Sequence, residues 1–208
     1  MAPLIAVVDY GIGNLRSAQK GLERAGADAR LTDDPALIAG ADGVVLPGVG
    51  AFGRCMEALH ATGLAAPTID AAASGRPFLG ICVGMQLLYE GSEESPDVAG
   101  LGILRGRVRL LPPTVKRPQM QWNRIDVLTP VPLLDGLDGS WMYFVHSYAA
   151  DDPAHVVASC DYGGPVAAVV AHDNVAATQF HPEKSGRSGL ALLANFVAQV
   201  TSSAEVRA

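Results

Sequence analysis

Apolar residues along this chain alternate between two rhythms, short continuous runs and stripes spaced by three or four. The run Leu4-Ile5-Ala6-Val7-Val8 predicts a strand over residues 4–9. Leu15, Ala18, Leu22 and Ala25 then recur at helical spacing, predicting a helix over 14–25 that Gly26 ends. The same alternation predicts a strand over 28–31, a helix over 35–39, a strand over 43–46 and a glycine-rich loop over 47–53. It resumes with a strand over Arg76–Ile81 and a helix over Met85–Tyr89. Near the end come a strand over Ala176–Phe180 and a helix over 187–200 that turns Leu190, Leu193, Phe196 and Val200 inward. Strands alternating with helices imply an α/β fold, a doubly wound and mainly parallel sheet covered on both faces. Residues 91–165 break the rhythm: prolines at 112, 113, 118, 130, 132 and 153 and short alternating strands predict an antiparallel excursion beside the parallel core. The expected organisation is one domain over 1–200 followed by a frayed polar tail over 201–208.

Length and charge narrow the class. At 208 residues the chain can bury a sizeable core, and its net charge of −6, with basic residues scattered, argues against nucleic acid and anionic membranes as partners. No apolar run reaches the length of a membrane span, and the first residues lack the pattern of a signal peptide, so the expected compartment is the cytoplasm. Cys55, Cys82 and Cys160 form no evident disulfide framework. The five histidines show no metal-ligand spacing with cysteines or carboxylates, so no metal and no cofactor is expected.

Chemistry enters at Gly80-Ile81-Cys82-Val83-Gly84, which sets a thiol between two glycines where a strand gives way to a helix. A nucleophile elbow is written this way: the glycines permit a sharp turn, and one side chain projects at the sheet's edge. A helix N-terminus there would favour the thiolate. About a hundred residues later a strand ends in His181-Pro182-Glu183, a base with a carboxylate near enough to orient it. In an open α/β sheet these groups can meet at the carboxyl ends of the strands. Gln86, one turn beyond Cys82, points back over the thiol or lies on the helix surface. Gly11-Ile12-Gly13 is a tight turn with Asn14 capping the following helix; Arg16 stands where a dinucleotide fingerprint requires glycine.

Taken with Asp9-Tyr10-Gly11-Ile12-Gly13-Asn14-Leu15, Pro47-Gly48-Val49-Gly50-Ala51-Phe52, Phe144-Val145-His146-Ser147-Tyr148 and His181-Pro182-Glu183-Lys184-Ser185, the elbow resembles the signatures of triad-type glutamine amidotransferases. Within that family the closer likeness is to the glutaminase subunits of imidazole glycerol phosphate synthase, and it runs to about Phe196. The resemblance implies a flavodoxin-like fold and hydrolysis of L-glutamine by Cys82, His181 and Glu183, with backbone N–H groups of Val49 and Val83 as the oxyanion hole. It implies that Gly48, Gly50, Gln86, Glu94, His146, Ser147 and Tyr148 bind substrate; Glu93 beside Glu94 is the open choice. Asn14, Trp122, Tyr143 and Lys184 would face a β/α-barrel cyclase subunit and the route of ammonia, although Trp122 could belong to a local core and Lys184 to the surface. Gln119 and Gln121 depart from the family's commoner histidine and glycine before Trp122. Rival readings are the glutaminase of another amidotransferase and a non-enzymatic binding module.

Overall fold

The computed structural model describes residues 2–207. Its first half follows the expected rhythm: β1 (Leu4–Val8), α1 (Leu15–Arg24), β2 (Asp28–Thr32), α2 (Pro35–Gly40) and β3 (Gly43–Gly48). Two further helices, α3 (Phe52–Ala61) and α4 (Ala65–Ala73), fill a stretch for which the apolar pattern gives no separate prediction. Then come β4 (Phe78–Cys82) and α5 (Val83–Gln86). α5 is a single turn, shorter than expected, because the carbonyls of Leu87, Leu88 and Tyr89 accept hydrogen bonds from the amides of Leu101, Leu104 and Gly102.

The excursion contains β5 (Gly91–Ser92), β6 (Ser95–Ala99), β7 (Arg107–Leu110), β8 (Gln119–Arg124), β9 (Asp126–Val127), β10 (Trp141–His146), β11 (Tyr148–Ala150) and β12 (Val156–Asp161). The chain closes with β13 (Pro165–His172), β14 (Val175–Thr178), a 3-10 turn at Pro182–Lys184 and α6 (Gly186–Arg207). The main sheet has the order β2-β1-β3-β4-β14-β13-β12-β9, parallel through β14 and antiparallel beyond it. The excursion therefore extends the main sheet through β12 and β9 as well as forming two small sheets, β10-β8 and β11-β7-β5-β6.

Every residue of β3 and β4 is buried, as expected of parallel strands with both faces covered. α1 packs on α6, and α2 on α4. Phe196 and Val200 of α6 are almost fully buried, each worth about 2 kcal/mol by the area it removes from water. The expected tail is corrected. Residues 201–207 continue α6, with the Thr201 hydroxyl donating to the Val197 carbonyl, because nothing between Leu190 and Arg207 is a glycine or proline that would stop a helix; Ala208 lies outside the described residues. Among those described, no helix is long and apolar enough to cross a membrane.

Register decides where the chemistry collects. Gly48 pairs with Cys82, and Thr178 with Ile81, so the segments that follow β3, β4 and β14 leave the sheet side by side at one edge.

Candidate active site

Cys82 turns the elbow itself, with φ 56° and ψ −113°, a conformation in which a non-glycine residue is strained. The flanking glycines serve another purpose than the one expected of them. Neither has a positive φ; both are needed for want of room. A Cβ on Gly84 would stand 1.9 Å from the Leu46 carbonyl oxygen, and one on Gly80 would stand 3.0 Å from Ala177 Cβ. Close packing of the elbow on β3 and β14 thus holds the thiol in its strained corner. Gly48 belongs to the same contact: its Cβ would stand 2.6 Å from the Gly84 amide nitrogen, so it lies beneath the elbow and does not line the cleft.

His181 leaves the sheet after β14 and is 2% exposed at its side chain. The turn that carries it is tied at several points. Its N–H donates to the Tyr143 carbonyl at 3.0 Å, its carbonyl accepts from the Ser185 hydroxyl at 2.6 Å, and the Ser185 oxygen accepts from the Tyr143 amide at 3.0 Å. His181 Nδ1 donates to Glu183 Oε1 at 2.7 Å, which leaves Nε2 for the hydrogen bond the ring makes with Cys82. Burial opposes a charge on His181. The hydrogen bonds and negative charges of Cys82 and Glu183 outweigh it and push the imidazole up to about 9. Asn14 occupies the N-cap position of α1 but makes no side-chain cap; its Nδ2 donates to Glu183 Oε1 at 3.3 Å instead.

Above the elbow lies a cleft of about 460 Å³. Cys82, Val83 and His181 line it together with Val49, Gly50, Gln86, Glu94, His146, Ser147 and Tyr148, and Asn14 and Lys184 also reach it. The choice between neighbouring glutamates is resolved. Glu94 lines the cleft and accepts from the Phe52 amide at 2.7 Å, whereas Glu93 is exposed and pairs with Arg109. His146 is buried and held down to about 4, first by burial, with the charge on His181 adding to it and a hydrogen bond to the Tyr148 carbonyl opposing. It is therefore neutral, donates from Nδ1 to Tyr148, and keeps Nε2 as a buried acceptor without a partner among the described residues. Tyr143 and Trp122 stand outside the cleft as an edge-to-face pair 6.0 Å apart. Gln121, in place of glycine, lies in β8 with no positive φ and needs no glycine's freedom. Gln119 is buried, its amide reaching Cys160 Sγ.

The sequence did not single out three buried groups beside Cys82. The Tyr10 hydroxyl donates to the Pro47 carbonyl at 2.7 Å, and the Cys55 thiol to the Val49 carbonyl at 3.2 Å, anchoring the peptides on either side of the Gly48–Val49 bond. Gln179, fully buried, brings its Nε2 to 4.0 Å from Cys82 Sγ. A polar side chain four residues before Glu183 carries no pattern of its own. Only the fold shows that it faces the thiol.

The family model for glutamine amidotransferase class-I matches residues 6–200. The imidazole glycerol phosphate synthase subunit HisH of Syntrophotalea carbinolica is 52% identical over 203 residues, covering 93% of this chain and 98% of that protein. The subunit of the same name from Halobacterium salinarum is 54% identical over 202 residues, covering 93% and 92%. Among solved structures, PurLQS from Thermotoga maritima aligns with a TM-score of 0.76 at 22% identity, over 95% of this chain and 99% of that one, a likeness of fold. A strained cysteine corner, a buried His–Glu pair and these relatives agree, and the chain belongs to the class-I glutamine amidotransferase family, among the HisH subunits of imidazole glycerol phosphate synthase.

Proposed function

We propose that the cleft hydrolyses the side-chain amide of L-glutamine and that the ammonia passes to the cyclase subunit of imidazole glycerol phosphate synthase. The observation that carries the reading is Cys82 at a positive φ beside the buried His181–Glu183 pair. Cys82 sulfur attacks the amide carbon, and the C=O electrons move onto oxygen, where the N–H groups of Val49 and Val83 receive them. Protonated His181 gives its proton to the amide nitrogen, the C–N bond breaks, and ammonia leaves a thioester. His181 then takes a proton from water, whose oxygen attacks the thioester carbon. Cleavage of the C–S bond releases glutamate, and the proton returns to the Cys82–His181 pair. Glu183 fixes the imidazole's orientation and stabilises its charge throughout.

The cleft also suits the amino-acid end of the substrate. Both Gln86 amide hydrogens are directed to protein acceptors, which leaves its Oε1 to accept. With His146 Nε2 and the Glu94 carboxylate this makes a set of acceptors matched to an α-ammonium group. Met120, Trp122 and Trp141, all exposed, make an apolar face on β8 and β10 that we assign to the cyclase. β10 holds the His181 turn through Tyr143, and Lys184 and Asn14 stand at the cleft on the route we assign to ammonia.

The test uses the complex with its cyclase. Cys82→Ala abolishes glutamine-dependent synthesis, a loss of several orders of magnitude, and leaves synthesis from ammonium salts intact. Retained glutamine hydrolysis would overturn the assignment.

A further inference from the structure

A chain of hydrogen bonds runs from the nucleophile through Gln179 and Gln86 to the Tyr148 carbonyl, and its direction is fixed at that end. The Tyr148 carbonyl can only accept, and it takes His146 Nδ1 at 2.9 Å and Gln86 Nε2 at 3.0 Å. The Gln86 amide nitrogen must therefore face this side. Its second hydrogen goes to Gln179 Oε1 at 3.0 Å. With its oxygen committed to Gln86, the fully buried Gln179 side chain presents its NH₂ group to Cys82 Sγ, 4.0 Å away. Reversing the Gln179 amide would set its oxygen against the sulfur and bring two NH₂ groups face to face, two unfavourable contacts for a fully buried side chain.

We propose that Gln179 is a second hydrogen-bond donor to the Cys82 sulfur, kept in the donating orientation by Gln86 and the Tyr148 carbonyl, and that it stabilises the thiolate independently of His181. The inference rests on reading Cys82 as the nucleophile. Sulfur lone pairs turned toward the amide accept its N–H most strongly when the sulfur is charged, so the contact gains strength as the thiolate forms. It also gives Gln86 a role beyond substrate binding, because losing its NH₂ would free Gln179 to reverse.

The experiment follows alkylation of the full chain by iodoacetamide as a function of pH, with each adduct assigned by mass spectrometry. Gln179→Met keeps volume and removes the donor; Gln179→Glu keeps the acceptor for Gln86 and sets a carboxylate against the sulfur. At a pH where only a small fraction of the thiol is ionised, Cys82 in the Met variant is modified roughly tenfold more slowly than in the unmutated chain, the scale of one charge-assisted hydrogen bond, and in the Glu variant more slowly still. At alkaline pH, where the thiol is ionised in every variant, the rates converge. A packing role alone would leave the pH profile in place or depress the rate equally at every pH, and either result overturns the proposal. Adducts on Cys55 or Cys160 in place of Cys82 in the unmutated chain would instead overturn the nucleophile assignment.

Discussion

The parallel half of the sheet, β1-β3-β4, and the antiparallel half beyond β14 build the site by different means. The parallel half contributes Cys82, and its geometry is steric: buried strands pack so closely that Gly48, Gly80 and Gly84 cannot carry a Cβ without a neighbour giving way. The segments around the antiparallel half contribute polar contacts instead, with Tyr143, Tyr148 and Gln179 tied by hydrogen bonds to elements distant in sequence and His146 tied to the nearby Tyr148 carbonyl. One half fixes the Cys82 sulfur by exclusion. The other surrounds it with directed donors and acceptors.

The largest effects separate the roles of the two residues that follow β14. His181→Asn removes the group we assign as proton carrier and lowers kcat for glutamine by about a millionfold, whereas Glu183→Gln keeps a neutral group in place and lowers it less, about ten-thousandfold. Steady-state rates on the complex, with circular dichroism to verify folding, make the measurement. Equal losses would mean that Glu183 does more than orient.

Steric and conformational roles of glycine separate next. Gly84→Ala forces a Cβ against the Leu46 carbonyl and costs about 3 kcal/mol or more, as a change of several degrees in Tm would report. Gly102→Ala, in the excursion, has φ 65° and open space around it, and costs only about 1 kcal/mol through backbone strain. Equal costs would remove the contrast between the halves.

A smaller effect tests the electrostatics. The folded-state value of His181 is raised above that of an unfolded histidine, so the protonated form is stabilised. Its contribution to stability is fully present below about pH 6.5 and is lost as pH rises through about 9. Because that proton goes to the leaving nitrogen, kcat/KM for glutamine also falls through about pH 9. Activity that stays level well above that pH would contradict the assignment of the proton to His181.

Much of this was legible beforehand, and the same contrast explains what was not. The strands and glycine spacing around Cys82 follow from continuous apolar runs, which a single sequence displays. The His181-Pro182-Glu183 turn is local, and its residues meet as the motif implies. By contrast, α5 stops after one turn because residues of the excursion capture the carbonyls of Leu87, Leu88 and Tyr89 that follow it, and no periodicity within Met85–Tyr89 records that. The strands β5 and β9 have two residues each, too few to carry a period. Asn14 looks like a helix cap because that is its commonest local use, yet Glu183, 169 positions away, takes its side chain. Gln179 is silent for the same reason: its partners Gln86 and Cys82 lie 93 and 97 residues earlier.

The most direct test of the central claim is to treat the complex with a glutamine analogue that carries an electrophile at the amide carbon and to locate the adduct by mass spectrometry. All three cysteines are buried, and burial pushes Cys160 up to about 11 and raises Cys55 also, so both are poor nucleophiles at neutral pH. The account predicts one adduct, on Cys82, formed in step with loss of glutamine hydrolysis and prevented by excess glutamine. An adduct on Cys55 or Cys160, or full loss of hydrolysis with Cys82 unmodified, would contradict it.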